Sequence, residues 1–160
     1  MNTDTQKALD RIPNPVGLLL AGNKKDYSVI TVSWFSQVSQ EPPLVAVSVS
    51  PQSSIAPVLD KEKNFVLALL DGNQEHVART CGHHKDVVAD KIREANLTLT
   101  ESQAVAAPAI KEALVNLECR VTSQVPSGDH LLYLAEVQRA HMSSRTGNQL
   151  VFADRDLFSL

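Results

Sequence analysis

The chain has 160 residues, 43% of them apolar and 21% charged, with a formal net charge of −3. That length suits one domain and can bury roughly 70% of its unfolded surface, which excludes wholesale disorder and any need for covalent staples. Lysine and arginine are scattered without a run or stripe, which argues against nucleic acid and against a membrane surface as partner.

The two distant cysteines, Cys81 and Cys119, make no disulfide framework. The first ten residues are polar and lack an apolar signal core. The longest apolar runs, residues 18–21 and 65–70, are far too short to span a bilayer. A cytoplasmic protein with reduced thiols is expected.

In chain order, Asp4 or Thr5 is placed to cap a short helix carrying Ala8, Leu9 and Ile12, with Pro13 ending it. Residues 16–21 are a short apolar run, 22–26 a polar turn, and 27–32 the returning strand of a hairpin. Pro42-Pro43 launches a strand at 44–50. Val45, Val47 and Val49 share one face, and Leu44, Ala46, Ser48 and Ser50 share the other. Ser53-Ser54 precedes Ile55, Val58 and Leu59, the pattern of a short capped helix. Residues 64–70 form a buried strand closed by Asp71-Gly72-Asn73. Residues 74–80 form a helix that Gly82 is placed to stop.

Residues 86–95 are amphipathic through Val87, Val88, Ile92 and Ala95, and residues 99–109 are loop-like. The two longest strands are expected at 114–124 and 130–142. In the first, Val115, Leu117, Cys119 and Val121 share a face, apart from Glu118, Arg120 and Thr122. In the second, Leu131, Tyr133, Ala135 and Val137 do. Pro126-Ser127-Gly128-Asp129 is turn chemistry between them. The pattern is mainly β: an antiparallel barrel, 1–160 as a single domain, with short peripheral helices.

None of the six glycines sits in a GxGxxG or P-loop pattern, and no GxSxG elbow occurs, which disfavours dinucleotide-fold, nucleotide-triphosphate and serine-hydrolase readings. Thr31, Ser33 and Ser36 flank the only tryptophan, Trp34. On spacing alone they are a polar strand end, although Thr31 and Ser33 would face one side of a continuing strand. Ser48, Ser50, Ser53 and Ser54 run from a strand end into a helix start. They read equally as a capped turn or as neutral donors for a phosphate. Cys81, His83 and His84 lack a second pair at ligand spacing, so no metal site is expected. Cys119 reads as a buried small hydrophobe. His130, following Gly128-Asp129, reads equally as a turn residue or as a donor to a ligand.

Taken together these segments resemble the flavin reductase-like proteins, FMN-binding split barrels with Greek-key connections. The run Thr31-Val32-Ser33-Trp34-Phe35-Ser36-Gln37-Val38-Ser39 followed by Pro42-Pro43-Leu44-Val45-Ala46-Val47-Ser48-Val49 carries the first half of the likeness. Leu117-Glu118-Cys119-Arg120-Val121, Gly128-Asp129-His130 and Ala135-Glu136-Val137 carry the second. The resemblance runs from about residue 12 to 142, and residues 143–160 do not add to it.

The resemblance implies a homodimer with noncovalently bound FMN, or sometimes FAD, near the subunit interface. Thr31, Val32, Ser33 and Trp34 would line the isoalloxazine ring. Ser48, Val49, Ser50, Ser53, Ser54 and Ile55 would hold the ribityl chain and phosphate, with help from Lys85 or the partner subunit. Cys81, Gly82 and His83 would approach the ring, and His130 would sit near flavin and nicotinamide. The implied activity is electron transfer from NADH or NADPH through flavin to free flavin, iron or a protein acceptor, with His130 the catalytic candidate. The chain departs from the family pattern at Thr80-Cys81 and at His83-His84-Lys85. That departure favours the alternative, a carrier resembling flavoredoxin that has no nicotinamide site.

Overall fold

The structure, a computed structural model, describes residues 3–83 and 88–160. A short amphipathic helix α1 (Thr3–Asp10) leads into β1 (Asn14–Pro15) and the hairpin β2 (Gly17–Gly22) and β3 (Tyr27–Val32). Gly22, at φ 109°, enters the hairpin turn in a conformation that only glycine adopts freely. Two residues, Ser33 and Trp34, join β3 to β4 (Phe35–Ser39), which pairs with β5 (Leu44–Val49). Helix α2 (Ala56–Glu62), strand β6 (Asn64–Leu69), and helices α3 (Glu75–Gly82) and α4 (Val88–Glu94) follow. After the two-residue strands β7 (Leu99–Thr100) and β8 (Ala109–Ile110) come the long hairpin β9 (Val115–Ser127) and β10 (His130–Met142), then β11 (Leu150–Ala153) and β12 (Asp156–Ser159).

The seven-stranded antiparallel sheet has the order β3-β2-β6-β9-β10-β5-β4. Its two edge strands, β3 and β4, are therefore consecutive in sequence. Laid flat, seven strands would separate those edges by about 29 Å, whereas a two-residue link spans about 11 Å. The sheet must curl until its edges meet at Ser33 and Trp34, which makes it a split barrel. The amide of Ser48 on β5 donates to the Trp34 carbonyl at 2.9 Å and holds the seam. The connection from β5 through α2 to β6 passes over β9 and β10, a Greek-key return.

The barrel interior is filled from the expected faces: Val45, Val47 and Val49 of β5, Cys119 of β9, and Tyr133 and Ala135 of β10. Strand β2 is buried on both sides, which is why its sequence is a run and not an alternation. Leu19 and Ala21 face the interior, while Leu18 and Leu20 lie under α3, α4 and the C-terminal strands.

Several expectations need correction. The 53–54 serines do not cap α2: Ile55 is its N-cap, without a side-chain bond. Gly82 is the last residue of α3 and does not follow it. Glu118 lies off the apolar face that alternation assigns to its strand, yet its side chain is fully buried beneath residues 103–105. Strands β4, β11 and β12 have no counterpart among the strands expected from the sequence. The 86–95 helix is seen as α4 from Val88 onward; Asp86 and Val87 lie outside the described residues.

Candidate functional site

The seam opens a cleft of about 460 Å³ between the end of β3, the end of β5, the start of β10 and the C-terminal end of α3. Its walls include Thr31, Val32, Ser33, Trp34, Ser48, Val49, Ser50, Ser53, Gly82 and His130, ten residues proposed from the sequence, together with Ile30 and Gln52. Val32 and Val49 are buried within these walls. Four predicted residues stand elsewhere. Ile55 and Cys81 are fully buried in the core. Ser54 turns to Ser28, with the two hydroxyl oxygens 3.5 Å apart. His83 borders a second cavity, described below. His84 and Lys85 lie outside the described residues.

The hydroxyls around the cleft differ in what they can still donate. Thr31 Oγ1 donates to the carbonyl of Ala78 on α3 at 2.7 Å, so its proton is committed and only its lone pairs face a ligand. Ser50 Oγ accepts the Gln52 amide at 3.3 Å and Ser53 Oγ accepts the Ile55 amide at 3.5 Å. Both hydroxyls then keep their protons to give. Among the described residues nothing occupies the hydroxyls of Ser33 and Ser48. Among the described residues, no lysine or arginine lines this cleft.

His130 is oriented on both sides. Its Nδ1 lies 2.7 Å from Asp129 Oδ1, and its ring packs on Trp34 with centroids 4.8 Å apart and planes at 48°. The hydrogen bond from His130, and then its charge, hold the Asp129 carboxyl below the usual carboxylate range. An ionised carboxylate only accepts, so Nδ1 carries the proton and Nε2 is the nitrogen left for the cleft. Trp34 is 54% exposed, a large apolar surface left open at the rim.

A second cavity, about 360 Å³, continues from the first along Thr31, Val32, Ser33 and Gly82. Its far side is the hairpin β11–β12 and the exposed face of α3, through Phe152, Leu157, Arg155, Asp156 and Arg79. These residues were not foreseen. Their one sequence signal is a pair of short apolar runs, residues 150–153 and 157–158, around the charged residues 154–156, too short to read without the partner β1. No group of three or more His, Cys, Asp or Glu side chains capable of holding a metal occurs among the described residues.

The arrangement defines a split barrel with a hydroxyl-lined cleft at its seam and an adjoining arginine-rimmed slot. The model of the flavin reductase like domain matches residues 9–160, and the chain belongs to that family. It is 30% identical over 151 residues to the reductase component of 4-hydroxyphenylacetate 3-monooxygenase from Thermus thermophilus, covering 94% of this chain and 91% of the relative. It is 26% identical over 149 residues to the NADH-dependent FMN reductase AsuE2 of Streptomyces nodosus subsp. asukaensis, covering 93% and 80%. Among solved structures its fold matches the NADH:FAD oxidoreductase SgcE6 of Streptomyces globisporus C-1027, in complex with NAD and FAD fragments. The TM-score is 0.87 at 23% identity, over 98% of this chain and 90% of that one.

Proposed function

We propose that the protein is an NAD(P)H-dependent flavin reductase that holds FMN in the seam cleft and passes reducing equivalents to free flavin, iron or a partner protein. The observation that carries this reading is the pair of adjoining cavities sharing the wall of Thr31, Val32, Ser33 and Gly82. One suits a flavin and the other leaves room for a reductant, which supports a reductase over a carrier with no nicotinamide site.

The donor set fits a flavin phosphate. The cleft volume lies within the range of small-molecule sites, about 300–1,000 Å³. The free protons of Ser50 and Ser53 converge from one turn, and Ser48 stands beside them for the ribityl hydroxyls. No cation is needed where the phosphate keeps part of its hydration in an open cleft. A bound flavin would supply the two-electron chemistry. This chain's residues position the rings and need no general base. Ser33 would donate to the ring edge, Thr31 would accept from it, and His130, held by Asp129, would face the incoming nicotinamide.

We read the chain as one domain and as half of a homodimer. Exposed Trp34 and Val38, on the link to β4 and on β4 itself, supply an apolar edge beside the cleft. Sedimentation should give twice the chain mass of 17.4 kDa; a flavin-loaded monomer would remove the interface from the account. Calorimetric titration with FMN and FAD, followed by nicotinamide oxidation in excess free flavin, tests the function. Saturable FMN binding with turnover is expected. A protein that binds neither flavin would refute it.

A further inference from the structure

Lys91 is a buried charge that lines neither cavity. It lies on α4 and is 4% exposed, a burial that lysine rarely tolerates. Its neighbours Ile92 and Ala95 pack in the core with Leu20, Val77 and Cys81. An ammonium taken out of water is costly unless hydrogen bonds hold it, and an apolar side chain of similar volume would fill the same space at least as well. Packing alone therefore does not call for a lysine here.

What the ammonium holds is specific. Nζ donates to the Val29 carbonyl at 3.3 Å and to the Cys81 carbonyl at 3.2 Å. Both acceptors belong to backbone that regular structure leaves open. Strand β3 is an edge strand, so every other carbonyl points away from β2 without a ladder partner. Helix α3 ends at Gly82, and His83 leaves it extended, at φ −72° and ψ 142°. The left-handed turn that commonly satisfies the last carbonyls of a helix is missing, and the cation serves that end instead.

The two carbonyls flank the wall that the cavities share. Val29 stands two residues before Thr31, and the Cys81 carbonyl belongs to the peptide that joins Cys81 to Gly82. Thr31 and Gly82 border both cavities. They are close neighbours: a Cβ added to Gly82 would lie 3.6 Å from both Cβ and Oγ1 of Thr31. The bond from Thr31 Oγ1 to the Ala78 carbonyl is a second stitch beside the first. Gly82 has no side chain to anchor it, so the grip on its peptide comes from Lys91.

We propose that Lys91 is a positioning residue for flavin reduction, fastening the end of α3 to β3 and so setting the wall between the flavin and its reductant; the proposal rests on the reductase reading above. Lys91 acts through Thr31 and Gly82. Hydride transfer depends steeply on the approach of the two rings, and a misplacement of about 1 Å costs about a hundredfold in rate.

The test compares Lys91→Met, which keeps the length and loses the donors, with Lys91→Arg, which restores donors, in the whole protein loaded with FMN. Amide hydrogen exchange is read without nicotinamide. In Lys91→Met, residues 79–82 should exchange at least about tenfold faster than in the parent, while strand β9 stays within about twofold. FMN affinity should stay within about threefold. On anaerobic mixing with a nicotinamide, flavin bleaching should slow at least about tenfold, and Lys91→Arg should recover most of both losses. If Lys91→Met does not fold, Lys91→Gln carries the same comparison, with smaller changes of the same sign. Exchange that rises equally in α3 and β9, or flavin that bleaches as fast as in the parent, would overturn the proposal and leave the reductase reading intact. A parent whose flavin neither nicotinamide bleaches would remove that reading, and the part of Lys91 in it as well.

Discussion

Thr31 and Ser33 differ by a methyl group and two positions, yet the structure gives them opposite roles. Thr31 donates across to Ala78 and ties α3 to the barrel, whereas the hydroxyl of Ser33 has no partner among the described residues. Thr31→Val should therefore lower folding stability by about 1 kcal/mol as the hydrogen bond is lost. Ser33→Ala should stay within about 0.5 kcal/mol of the parent and weaken flavin binding instead. Urea midpoints and flavin titrations on the two variants check this, and equal stability losses would contradict it. At the other end of the cleft, the double variant Ser50→Ala, Ser53→Ala should weaken FMN at least about tenfold more than riboflavin, which has no phosphate. Equal losses for the two flavins would mean that the phosphate sits elsewhere. That Ser33, Ser48, Ser50 and His130 belong beside one cleft follows from the family resemblance, because on spacing alone they read at least as well as polar strand ends and turns. The direction of the Thr31 hydroxyl does not follow from it, since its partner Ala78 lies 47 residues away.

Strand β9 shows why alternation misleads where a loop folds back over a sheet. Glu118 is on the face that a simple two-residue period sends to solvent. The loop after β7 covers it and aims the amides of Gln103, Ala104 and Val105 at its carboxylate, with His141 Nε2 at 3.1 Å. Burial by itself pushes the Glu118 carboxyl pKa up, but the amides of Ala104 and Gln103, the His141 ring and the Val105 amide together hold it below the usual range. The folded protein thus binds this proton less readily than the unfolded chain. The stabilisation is complete above the ordinary glutamate value, about 4.3. It is lost as pH falls through that value toward the lower folded one. Glu118→Gln should cost about 3 kcal/mol at neutral pH, because a neutral amide sets a donor against backbone donors. Urea midpoints should show the gap between parent and variant closing as pH drops from 7 to 3, and parallel curves would contradict the assignment. Strand β4 and the hairpin β11–β12 escaped the sequence for a related reason. Both are short, and each is defined by a partner that sequence spacing alone does not name.

On the scale of the whole molecule, one topological fact organises the site. Strands β3 and β4 are the outer edges of a seven-stranded sheet and are only two residues apart, so closure of the barrel places Ser33 and Trp34 at the seam. The same closure brings the end of β5 and the start of β10 beside them and makes the cleft. The family resemblance read from residues 12–142 captured this architecture, and the matched family model extends it to residue 160. The C-terminal strands then supply the far side of the second cavity, the part that decides between a reductase and a carrier. No helix among the described residues is long and apolar enough to cross a membrane. The most direct measurement is anaerobic: the protein is loaded with one equivalent of FMN and mixed with NADH or NADPH, and the visible flavin absorbance is followed. The account predicts rapid bleaching by a nicotinamide. Flavin that stays coloured with both nicotinamides, yet bleaches normally with dithionite, would contradict it and leave a carrier in its place.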